Sequence, residues 1–214
     1  MMAPSAPPTK RRSRRKEARP AEILKAALAL FAERGYAATK LEDVAAAAGI
    51  AKGTVYLYFP TKEELFKAVV RQELLPNLDR FEALVRSHTG PAAELLRLFS
   101  GRWLQLFDTD LTAIPKLVIT EAGNFPAIAR FYADEVVKRG MALVGSIIVR
   151  GIEDGEFRRI DPVIVLPLVV APFLMMALFK HSLRPHTDVA FDARAVLEAH
   201  MDVLLRGLAA EIPE

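Results

Sequence analysis

The chain has 214 residues, of which 52% are hydrophobic and 26% are charged, with a formal net charge of +3. This composition supplies a packed core and excludes a wholly disordered chain. The sequence contains no cysteine, which excludes disulfide frameworks, thiolate metal sites and cysteine nucleophiles and is typical of a cytoplasmic protein.

Positive charge is concentrated at the N-terminus. Residues 1–19 contain seven Lys or Arg side chains, including Arg14 and Arg15, and the single acid Glu17, so that they carry +7 − 1 = +6 and the rest of the chain carries +3 − 6 = −3. A basic run of this kind is either a solvated tail or a segment that binds a polyanion. We predict a disordered basic arm over residues 1–19 that adds to nucleic-acid binding.

Three short helices are predicted after the arm. Apolar residues recur at helical spacing from Ile23 to Phe31, and Gly35 follows as a C-cap. Thr39 stands three residues before Glu42, which is the spacing of a capping box at the start of a helix over 41–48. After Gly49, a third helix is predicted over 52–59. Two short helices joined by a tight glycine turn indicate a helix-turn-helix, here over residues 20–62.

The third helix has the groups that a DNA-reading helix needs. Gly53 lets the backbone approach a duplex, and the N-terminus of a helix binds phosphate. Lys52 and Lys62 supply charge at its two ends, and Thr39 offers a donor at the start of the second helix. Aromatic residues in a short helix are usually core, as expected for Phe59. Tyr56 and Tyr58 are expected outside, because four nearly consecutive residues, Val55 among them, cannot share one face.

The run ILKAALALFAERGYAATKLEDVAAAAGIAKGTVYLYFPTKEELF, about a fifth of the chain, resembles the DNA-binding domain of the tetracycline-repressor (TetR) family. The resemblance rests on Phe31, Gly35, Tyr36, Thr39, the string AAGIAKGTVYLYF and Lys62-Glu63-Leu65. It implies an all-helical homodimer whose third helix enters the major groove of operator DNA and whose C-terminal domain binds an inducer. By position it implies phosphate contacts from Thr39, Tyr56, Tyr58 and Lys62, and places Lys52, Gly53 and Thr54 nearest the bases.

Residues 63–214 are predicted to form a larger helical ligand-binding and dimerisation domain, giving an all-α fold of about nine helices. The hydrophobic periodicity of this part is helical throughout. A bend is expected at Pro76, which lacks a backbone donor. The predicted helices cover residues 62–87, 92–107, 111–121, 126–154, 161–181 and 189–210.

Residues 162–179 form an uncharged apolar segment that reaches the lower length limit for a membrane span. The alternative is a helix buried on every side at a domain core or a subunit interface, which we favour because Pro167 and Pro172 interrupt the segment and Asp161 and Lys180 bound it. The family resemblance implies that the last two helices pair with those of a second subunit, which accounts for the surplus apolar surface without a membrane.

An inducer pocket needs apolar and aromatic walls with a few polar groups. Residues of these types in the C-terminal part are the candidates, although each is also an ordinary core residue, and Gln105 is a further polar candidate. The predicted pocket residues are Trp103, Phe107, Phe125, Met175, Met176, Phe179 and His181.

The function predicted from these features is that of a ligand-responsive transcriptional regulator. It is expected to bind a palindromic operator as a dimer, usually as a repressor, and to be released by a small apolar or aromatic inducer. No cofactor, metal or catalytic activity is expected, because the four histidines have no metal-ligand spacing and the sequence contains no glycine-rich phosphate loop. Two alternatives remain open: a membrane-associated regulator, and a nonspecific DNA-binding protein without an inducer.

Overall fold

The computed structural model describes residues 10–210, with side chains from Arg19 onward. Within that range the chain forms nine helices. The first three are α1 (Lys10–Ala38), α2 (Leu41–Ala47) and α3 (Lys52–Tyr58). The fourth, α4, runs from Lys62–Val69 through a π-helical turn, Val70–Leu74, into Leu75–Ser87.

The remaining helices form the C-terminal part. A 3-10 turn at Asp110–Thr112 leads from α5 (Ala92–Phe107) into α6 (Ala113–Glu121). Helix α7 joins Pro126–Tyr132 and Lys138–Glu153 through a second π-helical turn, Ala133–Val137. Helices α8 (Pro162–His186) and α9 (Ala193–Leu208) complete the fold. The predicted all-α class and the predicted helices are confirmed.

The backbone over residues 10–19 is helical and forms the first part of α1, whereas the sequence predicts a disordered arm there. The physical reason is composition, because Lys, Arg, Ala and Glu are strong helix formers, and the helix passes through Pro20. Residues 1–9, and the side chains of residues 10–18 with Arg14 and Arg15 among them, lie outside the described part of the chain.

The helix-turn-helix has a small core that continues into the C-terminal part through Ile114 of α6 and Ile128 of α7. Phe31, Val44 and Val55 are buried in this core. Gly35 has φ 82° and ψ 173°, which breaks the helical path of α1 where a C-capping glycine was predicted. Gly49 also has a positive φ, 65°, in the turn between α2 and α3.

Two apolar clusters fill the C-terminal part, and α8 contributes to both. Val169 and Phe173 are buried, whereas Ile164, Leu168 and Met175 lie on the opposite face and are between 58% and 64% exposed. Judged by length and composition alone, helix α8 could also cross a membrane, and 33% of its most apolar stretch of 18 residues is buried in the fold. One face of this helix is therefore exposed in the single chain, and its burial on every side stays a prediction that requires a subunit interface.

Candidate functional site

Helix α3 presents its N-terminal half and one side to solvent. Lys52 and Gly53 are exposed, Thr54 is half-buried, and Leu57 is 79% exposed. Val55 anchors the helix on the core of the helix-turn-helix, which leaves the outer surface free to approach a duplex.

Glu42 of α2 organises the polar side chains of α3. Its Oε1 lies 2.6 Å from the Lys52 ammonium and accepts a hydrogen bond of 3.1 Å from the Tyr56 hydroxyl. The hydrogen bond from Lys52 is the main cause that lowers the Glu42 pKa to about 2, and the bond from Tyr56 adds to it. Glu42 is therefore ionised at neutral pH and holds Lys52 and Tyr56 together on the outer surface.

Lys62, at the start of α4, forms hydrogen bonds with the end of α1 that follows Gly35. Its ammonium donates to the carbonyls of Tyr36 at 2.7 Å and Ala37 at 2.9 Å, and it lies 4.5 Å from the centre of the Tyr36 ring. Burial lowers the pKa of Lys62, and the nearby Glu121 carboxylate partly offsets this effect.

A second contact joins this end of α1 to the C-terminal part. The Ala37 amide donates to the Glu121 carboxylate at the end of α6, at 3.1 Å. The buried Tyr36 ring packs edge-on against Phe125, with ring centres 4.7 Å apart. We call the group Tyr36, Ala37, Lys62, Glu121 and Phe125 the junction. Burial raises the pKa of Tyr36 to about 12, so its ring packs as a neutral phenol.

A cavity of about 240 Å³ lies between α4, α5, α6 and α7. Its walls are mostly apolar. Leu74, Leu78 and Phe81 line it from α4 at helical spacing, and Phe99 and Trp103 line it from α5. This volume is near the small end of the range for ligand pockets.

Several polar residues also line this cavity, Asn77 and Thr112 among them. Tyr132 lines it from α7, and within the described chain its hydroxyl has no hydrogen-bond partner; burial raises its pKa. Arg102 and Gln105 are exposed and line both the cavity and an adjoining surface groove, so they mark its mouth. A bound molecule would meet an apolar interior, a phenol donor and a cationic mouth.

The cavity and the junction share two helices. Helix α4 begins at Lys62 in the junction and lines the cavity about three to five turns later. Helix α6 follows Thr112 and carries Pro115 at the cavity and Glu121 in the junction. A shift of either helix at the cavity would therefore act on the end of α1, after Gly35, through direct contacts.

Comparison with known proteins agrees with this arrangement. Residues 23–69 match the family model of bacterial regulatory proteins, tetR family. The transcriptional repressor KstR2 of Rhodococcus jostii is 31% identical over 144 residues, covering 67% of this chain and 70% of that protein. KstR2 of Mycobacterium tuberculosis strain H37Rv is 31% identical over 138 residues, covering 64% and 68%. The chain belongs to the TetR family. It is a ligand-responsive, DNA-binding transcriptional regulator.

Solved structures show the same fold for the TetR-family chain. KstR2 of M. tuberculosis, described as a ketosteroid transcriptional regulator, aligns with a TM-score of 0.69 at 27% identity, over 90% of this chain and 96% of that one. The regulator FadR of Bacillus subtilis, solved with stearoyl-CoA, aligns with a TM-score of 0.71 at 21% identity, over 88% and 98%. The similarity to FadR, at 21% identity, shows only that the two chains share a fold.

The structure changes two of the expected DNA contacts of the TetR-family helix-turn-helix. Thr39 is 1% exposed, and its hydroxyl donates to the Gly35 carbonyl at 2.7 Å. The N-cap of α2 is Lys40, whose amide donates to Asp43, so the predicted Thr39–Glu42 capping box is wrong by one residue. Lys62 is half-buried in the junction instead of facing solvent.

Of the seven predicted pocket residues, Trp103 lines the cavity. The other six lie elsewhere, because a suitable residue type does not fix which side of a helix faces the space. Phe107 and Met176 are buried in a core cluster, and Met175 is exposed on α8. Phe125 belongs to the junction, Phe179 packs on Phe191, and His181 contacts Thr112 at 2.9 Å, behind the cavity wall.

Sequence reasoning missed Glu42, Glu121 and Tyr132. The apolar spacing of Leu74, Leu78 and Phe81, opposite Phe99 and Trp103, was the available signal for the cavity, since two facing stripes enclose it. Nothing local marks Glu121, because its partner Ala37 lies 84 residues away. Within residues 10–210 no group of three or more His, Asp or Glu side chains is placed to hold a metal ion.

Proposed function

We propose that this TetR-family protein is a repressor that binds a palindromic operator as a homodimer and leaves it when a small apolar or aromatic ligand fills the cavity. The observation that carries the proposal is the sharing of α4 and α6 between the cavity and the junction. A ligand that binds better to one arrangement of these helices shifts the population of dimers toward that arrangement.

The proposed DNA contacts lie on α3 and its flanks. Lys52, Gly53 and Thr54 are nearest the bases, and Tyr56 and Tyr58 hold phosphates. The exposure of Lys52, Gly53 and Tyr56 supports this assignment. Thr39 is left out because its hydroxyl donates inward, and Lys62 is assigned to the junction. The basic residues up to Arg19, with Arg14 and Arg15, add phosphate contacts upstream of the helix-turn-helix.

The proposed dimer interface is the exposed apolar face of α8 and α9. Ile164, Leu168 and Met175 follow one side of α8, and Val196 and Val203 stand two turns apart on α9. Two such helix pairs form a four-helix interface about a twofold axis. This interface would cover the apolar face of α8 without a membrane, and we place the protein in the cytoplasm, where operator DNA is found. Recovery only in detergent would favour the membrane alternative.

Names of the relatives suggest the chemistry of the ligand. FadR of B. subtilis was solved with stearoyl-CoA, and KstR2 is described as a ketosteroid regulator. The acyl chain of stearoyl-CoA and the ring system of a ketosteroid are apolar, and the apolar walls of the cavity in this chain suit a ligand with such a part.

Selection of a binding site from random duplex DNA by the purified full-length protein tests the proposal. We expect a palindrome whose half-sites are separated by roughly 34–36 Å, or a multiple of this spacing. A double variant, Tyr56→Phe and Tyr58→Phe, removes two hydroxyls and is expected to weaken binding to the selected site at least tenfold. Recovery of unrelated sequences, bound equally well by the variant, would contradict the proposal and favour nonspecific DNA binding.

A further inference from the structure

The mouth of the cavity carries basic side chains, whereas its interior is mostly apolar. Arg102 lines both the cavity and the adjoining groove, and Arg80 lines the groove from α4. Both side chains are exposed. No carboxylate lines the cavity or the groove among the described residues. Two guanidinium groups thus flank the entrance to an apolar space.

Arg80 and Arg102 form no ion pair within the described part of the chain, where neither has a carboxylate within 4 Å. Their hydrogen bonds go to neutral oxygens: Arg80 donates to the Pro76 carbonyl and, at 2.7 Å, to Asn77, and Arg102 donates to Gln105 at 3.4 Å.

The acidic side chains next to Arg80 in sequence pair with a different arginine. Asp79 and Glu82 flank Arg80 in sequence, and both bind Arg139 of α7, at 2.6 Å and 2.9 Å. Arg86, one and a half turns beyond Arg80, is 4.0 Å from Glu82. The charges of Arg80 and Arg102 are therefore left for a group outside the chain.

We infer that the ligand of this cavity is an anionic amphiphile, whose apolar part fills the cavity and whose carboxylate or phosphate group binds Arg80 and Arg102 at the mouth. This inference rests on the proposed function and narrows its ligand class, because a neutral apolar molecule would use the cavity but not the two guanidinium groups. Arginine suits this role since its planar fork binds carboxylate and phosphate oxygens in pairs. The Tyr132 hydroxyl supplies a donor on the cavity wall.

Binding of three probes with the same decyl chain tests the inference: 1-decanol, decanoate and decanoyl-CoA. Affinities are measured by calorimetry on the full-length protein at fixed low salt. We expect at least one anionic probe to bind tenfold or more tightly than decanol. If decanoate gains the affinity, the head group is a carboxylate at the end of the chain; if only decanoyl-CoA gains it, the head group is a phosphate further out.

The variants separate the head group from the cavity. Arg80→Gln combined with Arg102→Gln is expected to remove the tenfold preference, so that the anionic probe loses at least tenfold more affinity than decanol, which measures any change in the cavity itself. Arg86→Gln, an exposed arginine that already has an acidic partner, is the matched control and is expected to keep the preference. Thermal unfolding of each variant checks that the fold is retained.

Two results would overturn the inference, and they are distinguishable. Equal affinity for decanol and the anionic probes in the parent protein, or a preference that survives in the double variant, overturns the head-group assignment and leaves the proposed apolar ligand site standing. Failure of all three probes to bind overturns both the assignment and the cavity as the proposed ligand site.

Discussion

The Glu42 carboxylate lies 2.6 Å from the Lys52 ammonium, so an acid from α2 and a base from the N-terminal end of α3, which is the end proposed to face DNA, form an ion pair on the outer surface. Tyr56 donates to the same carboxylate. The pair fixes the position of both α3 side chains before DNA arrives, but it also places a negative charge where phosphates are expected. Glu42 is therefore expected to lower the affinity for DNA while it holds the Lys52 and Tyr56 side chains in fixed positions.

Glu42→Gln is expected to tighten binding to duplex DNA of random sequence several-fold. The variant removes one negative charge beside Lys52, so the plot of log affinity against log salt is expected to be steeper by about 0.9, the value for one additional phosphate contact. Fluorescence anisotropy with a labelled duplex at several salt concentrations measures both quantities.

The control for this variant is Glu33→Gln, which removes an acid of α1 that pairs with Arg34. It is expected to leave the salt dependence close to that of the parent protein. Identical slopes for the parent and Glu42→Gln would show that Lys52 does not approach phosphate once Glu42 is neutral, and would contradict the role given to the pair.

The helices and the small N-terminal core follow from the sequence because they depend on local spacing. Phe31, Val44 and Val55 recur at positions that only one face of each helix can bury, and Gly35 and Gly49 stand where the chain needs a positive φ. These signals lie within a few residues of the features that they predict. This locality explains why the boundaries of α5 were predicted at Ala92 and Phe107, as observed.

The candidate site could be predicted only where exposure follows from helical periodicity. Tyr56 was placed outside because Val55 and Phe59 take the inner face of α3. The junction could not be predicted, since Ala37 and Glu121 meet through packing of α1 on α6. Thr39 shows the opposite failure: a residue with a local capping pattern has its hydroxyl turned to carbonyls of α1, because the chain reverses at Gly35.

Glu121→Ala is expected to uncouple the ligand from DNA release. The variant loses the acceptor for the Ala37 amide, whereas the cavity, which Glu121 does not line, is unchanged. Ligand affinity of the free protein should stay within twofold, and the factor by which the ligand weakens operator binding should fall by about five- to tenfold, within the range of measured coupling energies. Operator titrations with and without saturating ligand measure this factor.

Glu121→Gln is the conservative variant, because its amide oxygen still accepts from the Ala37 amide. It is expected to retain most of the coupling. An equal loss of coupling in both variants would show that the hydrogen bond alone is not enough and that the negative charge near Lys62 matters instead. Normal coupling in both variants would remove Glu121 from the path between ligand and DNA.

His181 is expected to make the folded protein less stable as the pH falls below neutral. Burial, with Lys180 next to it, lowers the His181 pKa to about 4, from an ordinary value of 6.5. Between these pH values the unfolded chain binds a proton at this position and the folded chain does not, so the free energy of unfolding decreases as the pH falls. Chemical denaturation at pH 7 and at pH 5 measures the difference.

His181→Gln is expected to reduce this loss, because glutamine keeps a polar group near Thr112 and does not titrate. Part of the loss should remain, since burial also lowers the pKa of His200. His186→Gln changes an exposed histidine of the same helix and serves as the control. An equal loss of stability between pH 7 and pH 5 in the parent and His181→Gln would contradict the prediction.

Val203→Glu is expected to separate the proposed dimer. Val203 is 71% exposed in the single chain, so the substitution leaves the core intact, but in the dimer it would place an unpaired charge in an apolar interface. A cost of about 3 kcal/mol corresponds to about a hundredfold higher dissociation constant of the dimer. Sedimentation over a range of concentrations measures this constant.

Val137→Glu, at a 41% exposed position of α7, is the control and is expected to remain dimeric. A Val203→Glu protein that stays dimeric at the concentrations of the parent would place the interface elsewhere, whereas a monomer that still binds the operator with parental affinity would show that pairing through α8 and α9 is not needed to read DNA.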